Sequence, residues 1–247
     1  MSSDLILPIL LALIAALFAC VGQAGGVGYV AVMGLFGFSA ATIKTAALAL
    51  TLTVSAIGLV RYQHSGLLRT RDWYPFALLG APLSLVGGML TLPGQAYRFV
   101  VAILLIGAAI QMVLRTMHAA ALEDGPAKEI PFRPALITGA ITGLIAGLTG
   151  VGAGVFLAAA LMSLKWGSTR RVAAVAQASN LFTSFPALIG VGLANPVLPP
   201  QLPGWVLAAA VGGIIGSWLG ARHLPVMALR LILALVLLAS GIKIALG

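Results

Sequence analysis

An apolar stretch at residues 134–164 is broken in its middle by Gly147-Leu148-Thr149-Gly150-Val151-Gly152-Ala153-Gly154. An earlier stretch, residues 5–38, is broken in the same way by Gly22-Gln23-Ala24-Gly25-Gly26-Val27-Gly28. Glycine this dense destabilises a helix and permits tight backbone turns. Each stretch is also longer than the roughly 20 residues of one transmembrane helix. Each therefore predicts either a long kinked helix or a hairpin that enters the membrane and returns.

The composition of the chain is that of a polytopic membrane protein. Only 8% of its 247 residues are charged, whereas an ordinary soluble domain has about 25%. The 14 Lys and Arg residues outnumber the 5 Asp and Glu, but they are scattered singly at the ends of apolar segments. That pattern fits a lipid bilayer and not a nucleic acid as the partner of the basic residues. A single cysteine, Cys20, excludes an intramolecular disulfide and a CxxC site.

Six further apolar segments are long enough, or nearly so, to cross a membrane once. They are residues 43–60, 74–92, 98–117, 172–192, 204–221 and 229–246. The Lys and Arg residues decide how the two broken stretches run, because basic residues concentrate on the cytoplasmic side. Two single crossings would divide the 14 basic residues seven to seven, whereas two hairpins divide them eleven to three. We therefore expect hairpins, with both termini periplasmic in a bacterial inner membrane.

This topology predicts an inverted repeat. Each half contains one broken hairpin and three full spans, an odd number of crossings, so the second half must lie upside down relative to the first. The predicted fold is an all-α polytopic membrane protein with two inverted repeats, residues 1–120 and 134–247. A cytoplasmic linker, residues 121–133, joins them.

Matches between the two halves support the repeat. With an offset of 126 residues, Gly26 and Gly28 fall on Gly152 and Gly154, Lys44 falls on Arg170, and Thr51 falls on Gln177. With an offset of 132 residues, Arg98 falls on Arg230. Inverted repeats with interrupted helices are typical of transporters, which bind substrate near the midplane where the broken helices meet.

The apolar spans contain no acidic residue. All five Asp and Glu residues and all three His residues lie in linkers or at the ends of segments. A carboxylate proton relay, a carboxylate cage for a cation and the common catalytic sets therefore lack their residues. We expect no metal, no cofactor and no enzymatic activity, and a membrane-embedded lipid enzyme or assembly subunit is the less favoured alternative.

A small anion suits the broken stretches better than a cation. Backbone N–H groups at helix N-termini and glycine-rich turns bind oxyanions without a charged side chain. The candidate substrate-binding residues are Gln23, Gly25, Gly26, Gly28, Thr51, Thr149, Gly150, Gly152, Gly154, Gln177 and Asn180, and the candidate pathway charges are Lys44, Arg170 and Arg171. Each type has an ordinary alternative role, since glycine packs helices closely, hydroxyls bond their own backbone, and basic residues anchor spans at the interface.

The chain resembles the TauE/SafE family of sulfite and organosulfonate exporters over essentially its whole length. The resemblance rests on Gly25-Gly26-Val27-Gly28, on its repetition at residues 147–154, on residues 174–184, and on a glycine-rich span that ends in Leu-Pro in each half. Val27 and Ala153 interrupt a glycine run that is often unbroken in the family. The resemblance implies a small sulfur oxyanion or a short sulfonate that leaves the cytoplasm.

The sequence thus predicts an inner-membrane exporter of small anions, above all sulfite or a short organosulfonate. The exporter would work by alternating access between the halves and would be driven at least partly by the membrane potential, because anion efflux is electrically downhill when the cytoplasm is negative. Anion uptake coupled to protons or Na⁺ is the alternative transporter. The expected partners are the oxyanion and the bilayer, and a homodimer is left open.

Overall fold

The computed structural model describes residues 3–64, 69–117, 130–194, 198–219 and 226–246. Within these ranges the chain forms ten α-helices and no strand, which confirms the all-α prediction. The helices are α1 Ser3–Cys20, α2 Gly26–Leu35, α3 Ala40–His64, α4 Thr70–Met89, α5 Gly94–Met117, α6 Phe132–Thr149, α7 Gly154–Ser163, α8 Thr169–Ala194, α9 Leu202–Leu219 and α10 Val226–Leu246.

Among the residues that the structure describes, five helices are long and apolar enough to cross a membrane: α3, α5, α6, α8 and α9. The predicted span 229–246 corresponds to α10, and the predicted span 74–92 corresponds to α4, which falls outside this group. In α4 the reason is local, because its first turn contains Arg71 and Asp72 and the helix continues through prolines and glycines that lower its hydropathy. All but the last four residues of the predicted linker 121–133 lie outside the described part of the chain.

Both glycine-rich interruptions are breaks between two helices, as the sequence predicted, but the two arms differ in length. The first arms, α1 and α6, have 18 residues each and extend about 27 Å at 1.5 Å per residue. The second arms, α2 and α7, have 10 residues each and extend about 15 Å. Each broken segment therefore consists of an 18-residue helix followed by a helix of about half that length.

The fourth helix of the first half packs on the first helix of the second half. A stripe of small residues on α6, Gly139, Gly143 and Gly147, lies directly against the α4 backbone at Phe76, Gly80 and Ser84. The numbering rises together along both helices, so α4 and α6 run parallel. Small residues at a spacing of four let helix backbones approach closely in membranes.

The reciprocal contact has the same form. Gly212 and Gly216 of α9 lie against the α1 backbone at Ala12 and Ala16, again in parallel. Each half therefore packs one of its helices into the other half, and neither half is a separately packed unit.

Helices α3 and α8 cross at the centre in antiparallel directions. Leu48 near the start of α3 clusters with Ala187 and Val191 toward the end of α8. Gly58, later in α3, lies against Gln177, which comes earlier in α8. Since α3 and α8 are equivalent helices of the predicted repeat, an inverted arrangement requires this antiparallel crossing. The inverted arrangement of the halves as a whole stays a prediction.

Candidate functional site

The first glycine-rich break runs from one end of the bundle back to its middle. At its start, a Cβ added to Gly22 would lie 2.8 Å from the hydroxyl oxygen of Tyr62, near the end of α3. At its end, a Cβ added to Gly26 would lie 2.7 Å from Oγ1 of Thr51, in the middle of α3. Helix α2 therefore begins at the centre of the bundle.

The second break returns to the same place from the opposite end. Gly150 lies against Lys44 near the start of α3. The N–H of Gly154, which begins α7, donates to Oδ1 of Asn180 at 2.6 Å. Between them, Gly152 contacts both Asn180 and Thr51, since an added Cβ would lie 3.0 Å from the amide oxygen of Asn180 and 3.2 Å from Cγ2 of Thr51.

The N-termini of the two half-length helices thus converge at the crossing of α3 and α8. Each N-terminus has a partial positive charge from its unbonded N–H groups. In α7 the side chain of Asn180 caps the first N–H, whereas α2 has no side-chain cap. The residue before α2, Gly25, has a φ of 82°, a left-handed conformation that glycine adopts without strain. The geometry at the start of α2 therefore explains why this position is glycine.

Two hydroxyls of α3 on one face of the helix lack a partner, and one of them, that of Thr51, lies against Gly26 at this convergence. Thr45 and Thr53 donate to the carbonyl four residues earlier, each at 2.9 Å. Thr51 and Ser55 are fully buried, and neither hydroxyl has a hydrogen-bond partner. The alternative role of helix hydroxyls, bonding to their own backbone, therefore applies to Thr45 and Thr53 and not to Thr51 or Ser55.

Helix α8 presents polar side chains to the same region. Gln177 lies three residues before Asn180, so that both share one face of the helix. The Oε1 of Gln177 and the hydroxyl of Ser184 are buried without a hydrogen-bond partner. We define the central polar cluster as Thr51, Ser55, Gln177, Asn180 and Ser184.

Several predicted residues lie away from this cluster or have other contacts. Thr149 ends α6, where its hydroxyl donates to the carbonyl of Ile145 at 2.7 Å and accepts from the N–H of Val151 at 3.3 Å. Gln23 immediately follows Gly22 near the other end of the bundle, and its buried Oε1 has no partner. Gly28 lies against Ile14 and Phe18 of α1 and so serves helix packing.

The predicted pathway charges have structural partners where their side chains are described. Lys44 is buried, and its ammonium donates to the carbonyls of Gly87 at 3.0 Å, Gly88 at 2.8 Å and Leu90 at 2.8 Å. These carbonyls are at the C-terminus of α4, where a cation stabilises the helix dipole. Arg171 forms a bidentate ion pair with Asp72. The side chain of Arg170 lies outside the described part of the structure.

Sequence reasoning missed three buried residues that have a polar side chain. Asp72 was assigned to the end of a segment, but it is buried in the first turn of α4 with Arg171. Tyr29 of α2 is fully buried, and its hydroxyl, which has no partner, lies against Gly25. Tyr97 of α5 donates to the carbonyl of Thr149 at 3.0 Å. A signal existed for each, since a carboxylate or phenol in a largely apolar segment needs a partner or a function.

Comparison with known proteins gives two matches. The family model described as "Sulfite exporter TauE/SafE" matches residues 7–244. The "Probable membrane transporter protein y4hK" of Sinorhizobium fredii (strain NBRC 101917 / NGR234) is 44% identical over 231 residues, which is 94% of each chain. No solved structure gives a significant match. Both matches are to transporters, and this favours a transporter over a lipid enzyme.

Proposed function

This chain belongs to the sulfite exporter TauE/SafE family of multi-pass membrane transporters, and from that premise we propose that it exports small oxyanions from the bacterial cytoplasm. The proposed cargo is sulfite or a short organosulfonate. The proposed binding site is the central polar cluster together with the N-termini of α2 and α7. The proposed driving force is, at least in part, the membrane potential.

The observation that carries this proposal is the unpartnered hydroxyl of Thr51, which lies against Gly26 at the start of α2 and beside Gly152 of the second break. The unpartnered hydroxyl of Ser55 lies one helical turn away on the same face of α3. A buried hydroxyl without a hydrogen bond is unfavourable by roughly 1–3 kcal/mol. A transient oxyanion, which has several acceptor oxygens, would satisfy these donors. The backbone N–H groups at the start of α2 would contribute further donors of the same kind.

The sign of the local charge favours an anion. None of the five residues of the central polar cluster is acidic, and the buried Asp72 is already paired with Arg171. Neutral donors that surround a bound oxyanion recognise its geometry without holding it as tightly as a fixed cation would, and a transporter must release its cargo. The ammonium of Lys44, which is bonded to three carbonyls, is consistent with a site built from neutral donors.

The electrical driving force has the direction that export needs. Moving one elementary charge across the membrane changes its free energy by about 2.3 kcal/mol per 100 mV. With the cytoplasm negative, an anion loses free energy as it leaves, so no coupling ion is required. Alternating access would then change the side of the membrane to which the crossing of α3 and α8 is open.

The test is anion flux through purified protein in proteoliposomes, with the potential clamped by K⁺ and valinomycin and with equal pH on both sides. The substrates are sulfite and methanesulfonate, and the charge of methanesulfonate does not change near neutral pH. We expect flux that reverses with the sign of the potential and that exceeds the flux of protein-free vesicles. A second set of vesicles has an imposed proton or Na⁺ gradient. Flux that does not depend on the potential but follows that gradient would instead establish coupled uptake. If folded protein transports neither anion, the proposed cargo is overturned.

A further inference from the structure

We infer that a basic cavity at one end of the bundle is a second anion site, a vestibule that holds the oxyanion between the central polar cluster and the exterior. The inference rests on the proposed function for the identity of the anion. The cavity has a volume of about 570 Å³ and lies where α2 ends and α3 begins. This volume falls within the range of roughly 300–1,000 Å³ that is usual for small-molecule sites.

The charge of the cavity favours an anion. Arg98 of α5 and Lys243 of α10 both line it, and none of the lining residues that the structure describes is acidic. These two residues are separated by more than half the chain, and the packing of α5 on α10 brings them to one cavity. Two cations in a concave, partly apolar site raise the local concentration of anions.

The cavity adjoins the second glycine-rich break through Tyr97. The side chain of Tyr97 lines the cavity, and its hydroxyl donates to the carbonyl of Thr149 at 3.0 Å. On the cavity's other side, Val30 and Gly34 belong to α2, whose N-terminus lies at the central polar cluster. An anion that moves between the cluster and this end of the bundle would therefore pass along α2 and Tyr97.

The predicted topology places this vestibule on the periplasmic side. Arg98 and Lys243 are two of the only three basic residues that the positive-inside pattern assigns to that side. Both side chains are exposed, as those of interfacial anchors are. Unlike separate anchors, however, Arg98 and Lys243 line the same cavity.

The chain offers a matched pair of reporter positions. Gly94 lines the basic cavity, and a Cβ added there meets no atom within 4 Å. Gly204 lines a neighbouring cavity of about 610 Å³ that also includes Leu7 and Trp205 and has no charged lining residue, and an added Cβ there is equally unobstructed. A cysteine at either position is therefore expected to be tolerated.

The experiment uses Gly94→Cys and Gly204→Cys, each in a Cys20→Ser background, in lipid nanodiscs. The rates of labelling by a negative and a positive methanethiosulfonate reagent are measured, and their ratio reports the local potential without any transport. We expect a higher ratio of negative to positive labelling at Gly94→Cys. Arg98→Gln and Lys243→Gln should each lower that ratio roughly two- to fivefold, and raised salt should lower it as well.

Three controls separate this result from other causes. The labelling ratio at Gly204→Cys should not change when Arg98→Gln or Lys243→Gln is added. The labelling ratio at Gly94→Cys should not change when Arg61→Gln is added, because that substitution removes a charge from the far part of α3. Methanesulfonate should slow negative labelling at Gly94→Cys only. The proposed vestibule would be overturned if neither Arg98→Gln nor Lys243→Gln changed the labelling ratio at Gly94→Cys. It would also be overturned if methanesulfonate did not slow negative labelling there. Labelling needs no transport. A lack of flux would therefore overturn the proposed function, but the labelling ratio would still test whether the cavity attracts anions.

Discussion

Arg171 donates from Nε to Oδ2 of Asp72 at 3.0 Å, and its Nη2 donates to Oδ1 of the same carboxylate. The two residues are 99 positions apart, near the N-termini of the parallel helices α8 and α4. Asp72 is buried, whereas about a third of the Arg171 side chain is exposed. The pair therefore joins the first half to the second at the end opposite to Lys44. It gives Arg171 a structural role, and a role of this residue in the anion pathway stays a prediction.

Breaking this ion pair should destabilise the protein. Arg171→Gln should reduce the free energy of unfolding by about 3 kcal/mol, because it leaves the buried carboxylate of Asp72 uncompensated. Asp72→Asn should reduce it by less, because the Arg171 side chain that it leaves is partly exposed. The double variant should lose clearly less than the sum, as measured by thermal unfolding in detergent. Strictly additive losses would mean that the pair does not couple α4 to α8. Arg69→Gln, an exposed neighbour, should change stability by less than about 0.5 kcal/mol.

Removing the Thr51 hydroxyl should reduce transport without unfolding the protein. Thr51→Val keeps the shape of the side chain and deletes a hydroxyl that has no partner in the free protein. If this hydroxyl bonds the oxyanion, kcat/KM for methanesulfonate should fall about ten- to a hundredfold, the equivalent of one hydrogen bond to a charged group. The measurement is initial flux in proteoliposomes at several substrate concentrations.

The matched control for Thr51 is Thr53, two residues later on the same helix. Its hydroxyl already donates to the carbonyl of Ala49. Thr53→Val should therefore leave kcat/KM within about twofold of the wild type, since its hydroxyl is not available to the anion. Equal losses in the two variants would remove Thr51 from the site.

A substitution of Lys44 tests whether this residue caps α4 or provides a charge in the anion pathway. Lys44→Met keeps most of the apolar stem but leaves the carbonyls of Gly87, Gly88 and Leu90 without their donor. We expect stability to fall by about 1–3 kcal/mol, while flux per folded molecule stays within about twofold. A large loss of flux at an unchanged thermal midpoint would instead assign Lys44 to the anion pathway.

Asn180 should affect both stability and transport. Asn180→Ala removes the acceptor of the Gly154 N–H and so uncaps α7 at the centre of the bundle. Such a cap contributes about 1 kcal/mol, and its loss should also disorder the start of α7 beside Thr51. Thermal unfolding and flux measured on the same preparation should therefore both decline. In the control Thr183→Val, which alters a hydroxyl bonded to the Ser179 carbonyl, flux should be nearly unchanged.

The sequence by itself determined the helices and their interruptions. Apolar length predicted the spans, and the helices observed for the six single spans begin two to four residues earlier than the predicted segments. Dense glycine predicted the breaks that separate α1 from α2 and α6 from α7. These features are local, because helix formation depends on side chains within a few residues and on the length of the apolar run. The resemblance to TauE/SafE transporters rested on the same local motifs and is confirmed.

The tertiary structure decided which polar groups meet and which are already satisfied. Thr51 contacts Gly152 only because α3 crosses α8 and the second break returns to that crossing. Nothing local distinguishes Thr51 from Thr53, yet only the Thr51 hydroxyl lacks a partner. Likewise, Lys44 reached the end of α4 and Arg171 reached Asp72 through packing between distant segments. A hydrogen bond between elements depends on their relative positions, which close packing of small residues fixes after the helices have formed.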